Sequence, residues 1–200
     1  SWKLIKKKNQ FYYQDRMTKI KLNTKNVFSK GMLENVCLAI KIALDLNINK
    51  KIIQKTLPKL SFVGRFQYLY KGKIKDKLHK NESIMIDGAH AAADSKNLAA
   101  YLKNIKIPKY GIWAMTKNKE PDLFIKQLRG IFKKVVTMPI ENEFNSVSAS
   151  NLFKIATKNR FKAEKSNNLT EALNKISSDE KKLIVCFGSL YNCGNILNKN

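Results

Sequence analysis

From residue 66 onward the chain alternates short runs rich in branched and aromatic residues with longer runs of helical periodicity, and this alternation narrows the choice of fold more than anything else in the sequence. The strand-like runs fall at 66–70, 83–86, 110–115, 134–138, 161–163 and 183–187. The helical ones fall at 92–104, 121–132, 148–158, 169–177 and 190–198. Strands separated by single helices pair in parallel through crossovers, because a parallel neighbour cannot be reached by a tight turn. The expectation is an α/β domain: a Rossmann-like, mostly parallel sheet with helices on both faces. In such sheets ligands bind beyond the carboxyl ends of the strands, so residues just after a strand are the first candidates for function.

The segment before residue 60 reads differently. Residues 2–22 mix aromatic and branched residues with polar ones, as short strands or a hairpin do, with Phe11, Tyr12 and Tyr13 in one arm. Leu33, Val36, Cys37, Ile40, Ala43 and Leu44 then recur at three- and four-residue spacing, which predicts an amphipathic helix to about residue 46. A second, short helix over 50–56 ends before Pro58. These two regimes suggest two domains, 1–60 and 61–200, joined by a connector near 59–64.

Charge and cysteine content exclude several classes. The net charge is +24, but only Arg16, Arg65, Arg129 and Arg160 are arginines among 39 basic residues. Arginine is the usual reader of phosphates and base edges. Lysines dispersed along the whole chain fit a general attraction for anions better than a specific nucleic-acid surface. Cys37, Cys186 and Cys193 are an odd number without Cys-x-x-Cys spacing, which disfavours a disulfide framework or a zinc site. No apolar run approaches the roughly 18 residues of a membrane span, and the amino-terminal residues do not read as a signal peptide. A cytoplasmic protein is expected.

Four stretches meet the criterion of place or of chemistry. In Gly64-Arg65-Phe66-Gln67, an arginine enters a strand from a connector and could clamp anionic oxygens. In Asp87-Gly88-Ala89-His90, an apolar strand ends on a carboxylate, followed by a glycine that allows close approach and by a titratable ring. In Gly188-Ser189-Leu190-Tyr191, a hydroxyl and free N–H groups at a helix start form an anion-binding corner. Asn35 stands in the first helix. Taken singly, each has an ordinary structural explanation: a surface ion pair, a turn, a helix cap and a solvated asparagine.

In this order and spacing, the stretches resemble the folylpolyglutamate/dihydrofolate synthases of the Mur ligase superfamily. That family carries Gly-Arg-[Phe/Leu]-Gln where its C-terminal domain begins, then Asp-[Gly/Val]-[Ala/Gly]-His-Asn, and near its end Gly-Ser-[Leu/Phe]. Ala114-Met115 with Lys119-Glu120 is similar to the family's Gly-Met and Lys-Asp loop. Residues 136–140 are similar to its strand ending in proline, and residues 35–40 to its Asn-Ala-x-x-Ala helix start. The resemblance implies that residues 1–60 are the tail of the central ATP-binding domain and 61–200 the complete C-terminal domain. It implies an ATP-dependent ligase that adds L-glutamate to dihydropteroate or a reduced folate through an acyl phosphate, with Mg²⁺ held mainly outside this chain and a monomeric full-length protein.

Residue by residue, it implies that Asn35 contacts adenine and Arg65 the ATP phosphates. Asp87 would contact the ribose, His90 the acyl phosphate and incoming glutamate, and Ser189 the glutamate or folate side. The family's asparagine after the histidine is Ala91 here, its His-Gln pair before the adenine asparagine is Gly31-Met32, and the glycine of its Gly-Met is Ala114. The phosphate-binding Gly-x-x-x-x-Gly-Lys-[Ser/Thr] loop occurs nowhere in the 200 residues, so the chain by itself is expected to be inactive. Two other readings fit less of the sequence: a Mur ligase of peptidoglycan synthesis, and a basic binding module without catalysis.

Overall fold

The computed structural model describes residues 1–24, 27 and 29–200. They form two compact units, Ser1–Phe62 and Val63–Asn200.

In the first unit, β1 (Lys3–Lys7), β2 (Gln10–Gln14) and β3 (Lys19–Lys21) make an antiparallel sheet in that order. Leu4, Tyr13 and Ile20 lie opposite one another and face inward. Against this face packs α1 (Lys30–Asp45), through Leu33, Val36, Cys37 and Ile40. Ser29 caps α1 by accepting the Met32 N–H at 3.2 Å. The short helix α2 (Lys50–Thr56) and a 3-10 turn at Leu57–Lys59 close the core with Ile53 and Leu57.

The second unit holds a six-stranded sheet. Its strands are β4 (Gln67–Tyr68), β5 (Glu82–Asp87), β6 (Lys109–Trp113), β7 (Lys134–Thr137), β8 (Ala163–Lys165) and β9 (Lys182–Phe187). The order is β4-β5-β9-β6-β7-β8, parallel throughout except for the antiparallel edge strand β4. The helices are α3 (Lys73–Asp76), α4 (Ala92–Lys103), α5 (Pro121–Lys126), α6 (Ala149–Lys158), α7 (Leu169–Ile176) and α8 (Leu190–Lys199). Every residue of β9 is buried, as a central strand covered on both faces requires. Alternate residues divide between the faces. Ile84, Ile86, Ile112, Ile184 and Cys186 meet Leu173, Ile176 and Ile196 of α7 and α8. On the other face, rings of Trp113, Phe124, Phe132 and Phe187 stack with centroids 5.1–6.5 Å apart.

This is the α/β architecture expected from the sequence, with local differences. The helix expected over 121–132 stops at Lys126. Beyond it, tight turns such as Leu128 N to Ile125 O and Ile131 N to Leu128 O carry the chain to Gly130, whose φ of 73° ends any helical path. These turns keep Leu128, Ile131 and Phe132 buried, which is why the apolar period runs on past the helix. The strand expected at 161–163 pairs two residues later, at Ala163–Lys165. That expected over 66–70 shrinks to two paired residues. The single turn α3 is too short to leave a periodic signal and was not expected. Among the described residues, no helix is long and apolar enough to cross a membrane.

Candidate functional site

Parallel pairing sets Asp87, Phe187 and Trp113 level at the carboxyl ends of β5, β9 and β6. The residues that follow each strand therefore emerge side by side. Gly188 leaves β9 with a φ of 108°, and a Cβ there would lie 2.3 Å from the Ala114 carbonyl oxygen. Only glycine fits that corner. Ser189 follows as the cap of α8, its Oγ accepting the Tyr191 N–H at 3.1 Å.

The loop Gly64-Arg65-Phe66-Gln67 is bound to the end of β5. Asp87 accepts the Phe66 N–H on Oδ2 and the Ala89 N–H on Oδ1, each at 2.8 Å. The Gly88 N–H donates to the Gly64 carbonyl at 2.6 Å, and the Gly64 N–H to Gln67 Oε1 at 2.8 Å. Phe66 is held at a φ of 48°, an uncommon region for a bulky residue, which costs about 1–3 kcal/mol. The Asp87 bond and an edge-on contact with Tyr101, 4.8 Å between centroids, hold it there. Asp87 is 1 % exposed. Burial pushes its pKa above the ordinary aspartate value, while the N–H groups of Phe66 and Ala89 and the charge of Arg65 oppose the rise.

Arg65 Nη1 stands 3.9 Å from Asp94 Oδ2, and the His90 N–H reaches the same oxygen at 3.4 Å. The His90 ring places Nδ1 2.9 Å from the Gly88 carbonyl oxygen. A carbonyl can only accept, so Nδ1 carries the proton and a neutral ring keeps its lone pair on Nε2. His90 borders a cleft of about 230 Å³ that it shares with Thr116, Asn118, Lys119, Glu143, Asn145, Ser189, Leu190 and Tyr191. Thr116 Oγ1 donates to Asn118 Oδ1 at 2.7 Å within the loop after β6, and the Lys117 N–H donates to the Asn145 carbonyl at 2.7 Å, which ties that loop to the one after β7.

The structure thus brings Arg65, Asp87, His90 and Ser189 to one end of the second unit's sheet. Asn35 belongs to α1 of the first unit, where it is exposed. Sequence reasoning did not single out Thr116, Asn118, Glu143 or Asn145. They stand in irregular loops, and only the rule favouring strand ends pointed near them. Ala91 occupies the cap position of α4 and makes no side-chain cap bond. Among the described residues, no three His, Cys, Asp or Glu side chains cluster as a metal site would.

The family described as dihydrofolate synthetase, C-terminal domain, matches residues 70–199. Asp87, His90 and Ser189 fall inside that span. No curated protein sequence matches the chain. Among solved structures, the folylpolyglutamate synthase of Mycobacterium tuberculosis complexed with ADP and AMPPCP aligns at a TM-score of 0.79 and 16% identity, over 94% of this chain and 44% of that one. FolC of E. coli in complex with DHPP and ADP aligns at 0.79 and 13% identity, over 98% and 45%. The bifunctional folylpolyglutamate synthase/dihydrofolate synthase of Yersinia pestis with Mn, AMPPNP and L-glutamate bound aligns at 0.76 and 16% identity, over 98% and 45%. At these identities the likeness is one of fold. The chain spans less than half the length of each of these proteins.

Proposed function

This chain belongs to the family of dihydrofolate synthetase C-terminal domains, and from that premise we propose that it is the C-terminal portion of an ATP-dependent ligase joining L-glutamate to dihydropteroate or a reduced folate. One observation carries the reading. Asp87, His90 and Ser189, which fall within the family match, converge with Arg65 at the carboxyl end of a parallel sheet beside a polar cleft. In this reading residues 1–60 are the tail of the ATP-binding domain and contribute Asn35 toward adenine, and the second unit faces the reacting groups.

The cleft suits a small zwitterion. Lys119 and the amides of Asn118 and Asn145 offer donors to carboxylates, and His90 Nε2 offers a lone pair to an incoming amine. Ser189 lies at the same mouth, at the N-terminal end of α8, where anions are favoured. Arg65, partly exposed and only loosely paired with Asp94 at 3.9 Å, would turn its fork of donors toward phosphate. Asp87 is enclosed, with both oxygens on backbone donors. We assign it to the nucleotide side through the loop it holds, which carries Arg65, rather than through an open carboxylate. ATP supplies the phosphoryl group that activates the folate-type carboxylate. The chain holds no phosphate-cradling loop, so it is not expected to perform that step by itself. Its own task is to bind and orient glutamate and to exclude water from a reactive acyl group.

The test needs a protein that joins this chain to a phosphate-loop domain. Glutamate-dependent ADP release with dihydropteroate or tetrahydrofolate is expected from the joined protein and not from the 200-residue chain. His90→Ala should lower kcat and raise the KM for glutamate. Arg65→Ala should raise the KM for ATP by roughly tenfold, as the loss of a charged hydrogen bond of about 1.5–3 kcal/mol predicts. ADP release by the isolated chain, or a His90→Ala variant with unchanged glutamate kinetics, would refute these assignments.

A further inference from the structure

The antiparallel sheet of the first unit has a second face that the ligase reading does not use. Side chains alternate along a strand, and directly paired residues share a face. Opposite the inward row Leu4, Tyr13 and Ile20, the outward rows are Lys3–Gln14–Lys19 and Ile5–Tyr12–Lys21, with Lys7 beside Gln10 at the end. Four lysines thus share one small face, all exposed, and among the described residues none of the three strands contributes a carboxylate. The nearby acid Asp15 is turned the other way. It accepts Tyr13 Oη–H at 2.6 Å and the N–H groups of Met17 and Thr18.

One of these lysines also lies over an aromatic ring. Lys19 Nζ sits 4.9 Å from the centroid of the Tyr12 ring. The charge of Lys7, then desolvation, then a side-chain contact with Lys7 pull the Lys19 ammonium below the ordinary lysine pKa. Like charges gathered on one sheet face destabilise it unless an anion lies over them. A net charge of +24 explains many lysines, but not four on one small sheet face, one of them over the Tyr12 ring, with no carboxylate from the same strands.

The geometry points to the outward face of β1-β2-β3 as a docking surface for an extended acidic peptide. In an extended strand, side chains on one face recur about every 7 Å. Lys19 and Lys21 are one such step apart and Lys3 and Lys7 two, so a strand of carboxylates laid along the sheet meets an ammonium at each step. A single nucleic-acid strand fits this face less well. The Tyr12 ring on which a base would stack already carries the Lys19 ammonium, and the strands contribute no arginine. This inference stands apart from the ligase reading and would survive its failure.

Fluorescein-labelled hexaglutamate, titrated with the 200-residue chain at physiological ionic strength and followed by anisotropy, tests it. Lys7→Gln/Lys19→Gln/Lys21→Gln should weaken binding at least tenfold. Lys51→Gln/Lys55→Gln/Lys59→Gln removes the same charge elsewhere in the unit and should weaken it less than threefold. The sheet variant should melt no earlier than the parent, because it removes like charges that share one exposed face. If it melts earlier, Lys19→Gln alone, expected to weaken binding about threefold, carries the same test. Equal losses in the two triple variants would overturn the proposal, as would the absence of binding. Tighter binding of an oligothymidylate of equal charge, abolished by the sheet variant, would overturn it in favour of nucleic acid.

Discussion

The two ends of β5 each bury a carboxylate, and the two are treated in opposite ways. At the amino end Glu82, 1 % exposed, lies 3.3 Å from the ammonium of Lys182, itself 0 % exposed and the cross-strand partner of Glu82 at the start of β9. Glu82 also accepts the N–H groups of His79 and Ser178, each at 3.0 Å, and Ser177 Oγ at 3.2 Å. Lys182 donates to the Ile176 carbonyl at 2.8 Å and to Ser178 Oγ, and lies 5.0 Å from the Tyr110 ring centroid. Every charge there has its complement. At the carboxyl end Asp87 has N–H partners but, among the described residues, no cation in contact. Phe66 and Gly188 hold positive φ values, and the buried Trp113 Nε1 beneath Gly188 finds no hydrogen-bond partner among the described residues. Strain and unmet polar groups gather where loops must present side chains to a ligand. The closed end carries stability, and the open end carries the proposed chemistry.

The sharpest way to break this comparison is to remove the cation at the closed end. Lys182→Met leaves Glu82 buried without its counter-charge, and a broken buried pair costs about 3–5 kcal/mol. Urea denaturation of the 200-residue chain should show that loss, and Lys182→Met/Glu82→Gln should recover most of it by removing the stranded charge. A cost below about 1 kcal/mol for Lys182→Met would mean that the amino end is not the stabilising one.

How much of this was legible beforehand follows from how local each signal is. The run Leu183–Phe187 announced the central strand because both of its faces are covered, and the period of residues 190–198 announced α8. The loop after β5 was found because glycine, titratable side chains and a strand end coincide within four residues, and the loop after β9 because glycine and a hydroxyl follow a strand at the start of a helix. The pair Glu82–Lys182 was not found. A lone charge before an apolar run looks like a solvated flank, and only the crossover that sets β5 beside β9 brings these two residues together across 100 positions of sequence. Thr116 and Asn145 were missed for the same reason, since the cleft they share is made by two loops meeting. The parallel sheet also hid how slight its edge is, because an unpaired branched run such as 66–70 reads the same as a paired one.

A smaller effect separates structure from chemistry within the open end. Where the resembling family has asparagine, Ala91 stands at the N-cap of α4 and offers nothing to the free N–H groups of the first turn. Ala91→Asn should therefore stabilise the chain by about 1 kcal/mol, read as a higher urea midpoint at unchanged slope. In a protein joined to a phosphate-loop domain, it should leave the KM for ATP unchanged. If the substitution instead alters nucleotide affinity and not stability, that position belongs to the site and the departure at Ala91 bears on catalysis.

The smallest expected effect is a pair of slopes with opposite sign. Burial raises the pKa of Glu82, but the Ser178 and His79 N–H groups and then Lys182 outweigh it, so the folded value lies below the ordinary 4.5. The stability Glu82 contributes is fully present above that value and is lost as pH falls through the folded one. Asp87 is the reverse, because burial holds its folded pKa above the ordinary 3.8. Below 3.8 both states carry the proton. As pH rises from there the unfolded chain ionises first and is favoured, so the contribution of Asp87 to stability falls until the folded value is passed. Unfolding free energy measured against pH should therefore flatten in Glu82→Gln, which removes a rising contribution, and steepen in Asp87→Asn, which removes a falling one. The two windows adjoin near pH 4, where the wild-type contributions partly cancel. If both variants change the slope in the same direction, the two carboxylates are compensated alike, and the contrast between the ends of β5 is one of position rather than of electrostatics.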